Sequence, residues 1–208
     1  MTIKEAEKIA HTLSAPSKMP CHSYSIPAQK CITGMKLRNV KNSICSKCYA
    51  LKSRYLFKNV KDALFKRFES LTHPQWVEAM VCMIDKKEKS GYMRLHDAGD
   101  LQGVWHLEKI VEVCRRLPHI KFWLPTREYG IVAQYLRDNS FPENLTVRLS
   151  SLMLEGNPPE AIAKRFNLTT SGVSKSGFTC PSSKQAGKCG DCRACWNKSI
   201  SNVNYKQH

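Results

Sequence analysis

The chain has 208 residues, with 33 lysines and arginines against 17 aspartates and glutamates, a formal charge of +16, and ten cysteines. That length suits one domain, or one domain with an appendage, and supports a real core; no apolar run approaches a membrane span or a signal peptide's apolar segment, so no membrane partner is expected. A cytoplasmic setting is expected, where clustered cysteines bind metal or do redox work rather than form disulfides.

The basic surplus favours a polyanionic partner such as nucleic acid, or an anionic substrate, although the scatter of its lysines also fits a plain solubility bias. Ile3, Ala6, Ile9, Ala10 and Leu13 stand at helical intervals and predict a short amphipathic helix over 3–13. His22-Ser-Tyr-Ser-Ile26 alternates like a strand, and a turn-rich loop follows that carries Cys31, Cys45 and Cys48. The stripe Phe57, Val60, Leu64, Phe68 and Leu71 predicts a helix from about Ala50 to Leu71. Trp76, Val77, Met80, Val81 and Ile84 predict a second, to about Lys89, with Cys82 beside it as packing.

Tyr92–His96, Ile120–Leu124 and Leu145–Leu149 then read as strands. Helices lie between them, one with Val104, Leu107, Val111, Cys114 and Leu117 on a core face, the next with Ile131, Val132, Tyr135 and Leu136. This alternation predicts an α/β fold with a small, mostly parallel sheet of about four strands. In such sheets the polar residues just past the strand ends converge on one edge. His96, Asp97, Asp100, Thr126, Arg127, Glu128, Arg148, Ser150 and Ser151 fall there, and the Cys31–Cys48 loop opens on the same edge. Glu155-Gly-Asn-Pro-Pro159 reads as a linker, which divides the chain into an N-terminal helix (1–18), an α/β core (19–155) and a cysteine-rich C-terminal segment with its tail (156–208). Residues 159–175 have the apolar spacing of a helix-turn-helix, but Gly172 and Gly177 weaken any recognition helix. The tail after Trp196 is expected to fray.

Cys180, Cys189, Cys192 and Cys195 lie within sixteen residues, the last three at two-residue intervals. That spacing lets thiolates converge on one metal centre, and Gly187 and Gly190 suit the turns required. Three thiolates, Cys31, Cys45 and Cys48, leave one iron of a cubane cluster without a protein ligand, whereas four make a closed centre. If Cys21 or His22 joins the first set, that site closes too. Zinc is the rival, either on the C-terminal four alone or on one ribbon-like site pairing Cys45 and Cys48 with two C-terminal cysteines. The ribbon leaves clustered thiols unused, so iron–sulfur is the preferred reading.

Pro27-Ala-x-x-Cys31-x-Thr33-Gly34-x-Lys36-Leu37 and Cys45-x-x-Cys48-Tyr49-Ala50 resemble a bacteriophage family called gene product eighty-eight. So do His96-Asp97-x-Gly99-Asp100, Leu124-Pro125-Thr126-Arg127-Glu128 and Cys189-Gly-Asp-Cys192-Arg-Ala-Cys195-Trp196. The resemblance covers most of residues 19–196 and implies a phage-encoded iron–sulfur protein of the host cytoplasm. More distantly, Cys45-x-x-Cys48-Tyr49 after a first strand, followed by βα repeats, is similar to radical S-adenosylmethionine enzymes. The likeness departs at the cysteine spacing, where thirteen residues separate Cys31 from Cys45 instead of the usual three, and in the small number of strands.

That similarity implies a truncated partial barrel with one open three-cysteine [4Fe–4S] site, one four-cysteine cluster, S-adenosylmethionine as cofactor, a small-molecule or nucleic-acid substrate, and an electron donor. The first cluster would pass an electron to the bound sulfonium. His96, Asp97, Asp100, Thr126 and Ser150 would hold the cofactor, the two aspartates on its amine. Arg127 or Arg148 would take a carboxylate or anionic substrate, with Glu128 completing the catalytic set. The same charged groups could instead be ion pairs closing the sheet edge. The alternative function is a non-catalytic module, stapled by zinc or iron–sulfur, that binds nucleic acid or a host protein.

Overall fold

The computed structural model describes residues 1–154, 156–173 and 177–206. Helix α1 (Ile3–Ala10) begins at Thr2, whose hydroxyl accepts from the Glu5 amide while the Glu5 carboxylate accepts from the Thr2 amide, so two orphan donors are satisfied reciprocally. Then come β1 (His22–Tyr24), α2 (Ile32–Leu37), α3 (Lys58–Ser70), α4 (Trp76–Lys87), β2 (Tyr92–Leu95), α5 (Val104–Arg116), β3 (Lys121–Thr126) and α6 (Tyr129–Tyr135). The chain continues through β4 (Leu145–Ser150), α7 (Glu160–Arg165), β5 (Thr169–Gly172), β6 (Phe178–Thr179) and β7 (Asn202–Asn204).

Among the described residues seven strands form one all-parallel sheet in the order β1-β2-β3-β4-β5-β7-β6. Parallel neighbours cannot be joined by hairpins, so each step from β1 to β5 crosses over through helix. Successive side chains of a strand point to opposite faces. Met93, Leu95, Phe122, Leu124, Leu145, Val147 and Leu149 enter the main core with Met80, Ile84, Leu107, Ile110 and Val111 of the helices. Each such burial contributes roughly 1.5–3 kcal/mol. Cys82 and Cys114 belong to this core or pack against it, as their spacing implies. The intervening positions Ser23, Arg94, Trp123 and Thr146 are successive cross-strand neighbours on the opposite face.

That second face is closed by the C-terminal segment. Trp196 packs edge-on against Trp123 at 5.3 Å and Tyr92 at 5.4 Å, and its indole N–H donates to the Met93 carbonyl at 2.9 Å. Thr146 donates to the Trp196 carbonyl at 2.9 Å. Arg148 is fully buried, and its five guanidinium N–H groups reach five backbone carbonyls: Cys195 (3.0 Å), Thr170 (3.1 Å), Ile200 (2.9 Å), Ala194 (2.9 Å) and Asn197 (2.8 Å).

The structure corrects the sequence reading at three places. The helix expected from about Ala50 begins only at Lys58; residues 44–56 form successive tight 3-10 turns, and Phe57 of the supposed stripe is 60% exposed. The helix-turn-helix that Gly172 and Gly177 spoke against does not form among the described residues, since α7 is followed by strand β5 where a recognition helix would begin. The tail does not fray at Asn202–Asn204, since β7 lies between β5 and β6 in the sheet. Finally, the sheet has seven strands among the described residues where about four were expected, the added ones being β5, β6 and β7 of the C-terminal segment. Among the described residues no helix is long and apolar enough to cross a membrane.

Candidate metal centres

Cys31 leaves the turn after β1 and stands at the N-terminal boundary of α2, while Cys45 and Cys48 lie in the 3-10 turns beyond it. Gly34 has an ordinary backbone conformation, so it is there for space. A Cβ on it would lie 2.9 Å from Cys31 Cβ and 3.6 Å from both Cys31 Sγ and Cys45 Sγ. One point thus lies within 3.6 Å of two sulfurs. Burial pushes the Cys31 thiol up, and Asp100, Cys48 and Cys45 push it further. Burial also raises the Cys45 thiol, opposed by the Arg127 guanidinium. Cys31 and Cys48 pack with Ala28, Ala50 and Ala98. The loop therefore brings its three cysteines into one neighbourhood, beside Arg127.

Neighbouring strand ends hold this loop. The Glu128 carboxylate accepts from the Thr33 amide and the Thr33 hydroxyl, both at 2.8 Å, and so caps the first turn of α2. The Ser43 hydroxyl donates to the Leu37 carbonyl at 2.6 Å and accepts from the Ser46 amide at 3.0 Å. Backbone bonds from Ile44 to Leu152 and from Leu154 to Asn42, both 2.9 Å, tie the loop to the chain after β4. Gly99, at φ +81°, lets the turn after β2 lie against Ile26, whose carbonyl oxygen would stand 2.6 Å from any Cβ there.

Most of the polar residues expected to bind cofactor are engaged by the protein itself. Asp100 is buried and accepts from Thr126 Oγ1 (2.6 Å), the Arg127 amide (2.9 Å) and the Leu101 amide (2.8 Å), and burial pushes its carboxyl up to about 6. Asp97 accepts from the Tyr55 hydroxyl at 3.0 Å and from Ser23 at 3.3 Å. Thr126 Oγ1 also accepts from the Glu128 amide at 3.0 Å, and Ser150 pairs with Ser171 at 3.2 Å. His96 is buried at φ +59° against the His106 ring, 5.4 Å away, and burial pushes it down to about 3, so it is neutral at physiological pH. Hydroxyls and backbone groups thus knit the sheet edge, where ion pairs had been the expected alternative.

Arg148 is on the opposite task, holding the C-terminal segment, and has no donor left for a substrate carboxylate. Arg127 remains beside the thiols, its Nε donating to the Ser151 carbonyl at 3.0 Å. It lines an open cavity of about 530 Å³ together with Thr33, Lys36, Glu128, Gln134 and Leu152.

The second group lies against the sheet face opposite the helices. Cys195 and Cys21 are buried with Trp123, Trp196 and Val203, and Cys180 and Cys192 pack against the same cluster. Cys195 Sγ is 3.2 Å from the Tyr205 hydroxyl, and Cys189 Sγ is 3.9 Å from Met19 Sδ. The Cys189 amide donates to the Lys18 carbonyl at 3.0 Å. Burial pushes Cys195 up to about 11, and burial followed by the charge of Glu88 pushes Cys21 up to about 12. Burial and the neighbouring Cys180 raise Cys189. Cys21 therefore keeps company with the C-terminal four and not with Cys31, and the His22 ring pairs with Glu88 at 2.9 Å. Neither residue closes the first group. Cys45 and Cys48 sit with Cys31, which removes the ribbon-like zinc site shared between the two regions.

Sequence reasoning passed over Met19, Arg94, Trp123 and Tyr205, which border the second group. The available signal was a cation and an indole in mid-strand, at the alternate phase of otherwise apolar strands. Among the described residues, no group of three or more cysteine, histidine or acidic side chains is placed so as to hold a metal ion. Two observations fit a larger group built of iron and sulfide. The missing side chain of Gly34 leaves a cradle between two sulfurs. In the second group, Trp123 Nε1 and Arg94 Nε are buried N–H donors with no acceptor among the described residues, and a sulfide-bearing group supplies acceptors.

A parallel α/β sheet with one thiol group at its carboxyl edge and another on the face opposite its α-helices defines a cysteine-rich α/β protein. A family model described as Gene product 88 matches residues 2–198, and the chain belongs to that bacteriophage family. No curated protein and no solved structure matches the chain.

Proposed function

We propose that the chain is an iron–sulfur protein with two centres, one held by Cys31, Cys45 and Cys48 and one by Cys180, Cys189, Cys192 and Cys195, the first being the reactive one. One observation supports this reading: eight cysteines far apart in sequence gather at two separate places in one fold, Cys31, Cys45 and Cys48 at an open edge and Cys21, Cys180, Cys189, Cys192 and Cys195 against a closed face, while Cys82 and Cys114 stay with the main core. Three thiolates leave one iron of a cubane open, and a centre of that kind supplies one-electron chemistry to what binds there.

The chain's own residues do the remainder. Gly34 gives the first group room, Glu128 fixes its loop, Asp100 ties the ends of β2 and β3 beside it, and Arg127 with Lys36 offers positive charge to an anionic reactant entering the cavity. On the enzyme reading that reactant is S-adenosylmethionine, with its carboxylate met by Arg127, and the sheet serves as the partial barrel of a minimal radical enzyme fed by an external electron donor. Asp97 and Asp100, engaged as they are, position the edge rather than hold the amine.

Anaerobic purification from cells able to assemble such centres tests the proposal. The expected product is brown, contains iron and acid-labile sulfide in equal amounts, and cleaves S-adenosylmethionine once reduced. A brown protein inert toward that cofactor keeps the centres and removes the enzyme. A colourless protein holding zinc, with salt-dependent affinity for nucleic acid, establishes instead the binding module that the +16 charge favours.

A further inference from the structure

Arg94 and Trp123 are direct neighbours across β2 and β3 on the sheet face opposite the helices. The register stacks them, with the guanidinium carbon 4.6 Å from the indole ring centroid. Each carries a buried N–H without an acceptor among the described residues, Arg94 Nε and Trp123 Nε1. Buried donors are almost always paired, because leaving one unpaired forfeits its hydration for nothing. Two adjacent orphans on one face therefore call for a shared acceptor.

Their surroundings say which. Arg94 Nη1 lies 3.7 Å from Met19 Sδ, itself 3.9 Å from Cys189 Sγ. Trp123 packs on Tyr205, ring centroids 6.5 Å apart, and the Tyr205 hydroxyl is 3.2 Å from Cys195 Sγ. Trp123 also packs on Trp196, the residue after Cys195, at 5.3 Å. The routes outward from Trp123 lead to sulfurs of the second group, and Arg94 shares them while also lying near Tyr49 and Asp97 on the side of the first.

We propose that Trp123 Nε1 and Arg94 Nε donate hydrogen bonds to the sulfurs of the second centre, and that this pair sets the centre's reduction potential. The inference rests on the iron–sulfur reading of that centre. N–H···S bonds and a nearby positive charge favour the more negative, reduced state, so the pair raises the potential. Arg94 and Trp123 are positioning residues for electron transfer, and they make the second centre an electron carrier in place of a mere staple.

The test uses the full chain purified without oxygen. Iron, sulfide and spectroscopy on the unmodified protein come first. They decide the underlying reading alone: without iron and sulfide, both that reading and this inference fall. With the cluster present, electron–nuclear double resonance before and after exchange into D2O should find exchangeable protons coupled to the reduced second centre. Trp123→Phe keeps the ring and removes the N–H. It should lose one such coupling and lower the potential of the second centre, with iron content and the first centre's potential unchanged. Arg94→Lys keeps the charge and removes Nε, and should act in the same direction. A loaded wild-type protein with no exchangeable proton coupled to the second centre overturns the inference even if neither variant folds. So does an unchanged potential in a fully loaded Trp123→Phe.

Discussion

Around Cys31, Cys45 and Cys48 the chain is loop, and it is fixed from outside by single contacts drawn from several strand ends: Glu128 on Thr33, Leu152 on Ile44, Gly99 against Ile26. Around Cys180 to Cys195 one buried guanidinium gathers five carbonyls and presses the segment onto the sheet. The first arrangement is distributed and borders a cavity; the second is centralised and covered by tryptophans. A group that must admit a reactant is better served by the former, and one that only holds charge by the latter. If the two groups hold iron–sulfur centres, as proposed, mutations should separate the two regions accordingly.

The largest effect belongs to Arg148. Arg148→Met fills similar space but abandons five backbone carbonyls, three of them in buried bonds, and should cost about 3–5 kcal/mol. Urea unfolding measures the loss. In protein that still folds, cluster iron should leave the second centre and stay in the first, as iron analysis with spin quantitation would report. Equal loss from both centres would mean that the two regions are not separately built.

Asp100 comes next, and its effect follows pH. Burial raises its folded pKa to about 6, above an unfolded value of about 3.9. The folded state thus binds the proton more tightly, and the stability this contributes is full below about pH 4 and is lost as pH rises through 6. The loss amounts to about 3 kcal/mol between those limits. Urea midpoints taken from pH 4 to pH 7 should show that slope, and Asp100→Asn should remove it whatever its own absolute stability. A variant with the parent's slope would exonerate the group.

The same contrast governs what could be read from the sequence. β2, β3 and β4 alternate apolar residues with others, so their existence and parallel order were legible, and the cysteine spacings marked both groups. β5 (Thr-Thr-Ser-Gly) and β7 (Asn-Val-Asn) carry no apolar alternation. They are strands because Arg148, the Thr170–Asn202 bond at 2.9 Å and their neighbours' backbones hold them there, which no local pattern reveals. Arg148 looked catalytic because it lies near a strand's end, yet its partners come mostly from a segment some fifty positions on. The turns at 50–56 resembled the start of a helix because Phe57 extends the stripe of α3 by one exposed residue. Cys21 could not be assigned to either group, since only the sheet order sets β1 beside β2 and so beside Arg94.

Gly34 tests the first region at its tightest point. Gly34→Ala would place a methyl carbon 2.9 Å from Cys31 Cβ and 3.6 Å from two sulfurs, a contact the loop must yield to relieve. Overpacking of this kind costs about 1–3 kcal/mol. More tellingly, iron in the first centre should fall while the second keeps its full complement, and chelator-resistant iron would register that difference.

The smallest effect tests whether the distributed contacts matter singly. Glu128 meets the Thr33 amide and hydroxyl together. Glu128→Gln leaves one acceptor oxygen in place of two and removes the negative charge at the start of α2, a change worth about 1 kcal/mol. With 208 residues, a loss of that size lowers the melting temperature by about 2–4 °C. Thr33→Val removes only the hydroxyl partner, and the double variant should fall short of the sum of the two because they share one interaction. The sharper reading is kinetic: iron should leave the first centre faster in Glu128→Gln, with the second unaffected. If neither rate changes, the loop is held by its remaining backbone ties to residues 152 and 154, and the carboxylate's place beside the cysteines has to be explained by the cavity it lines instead.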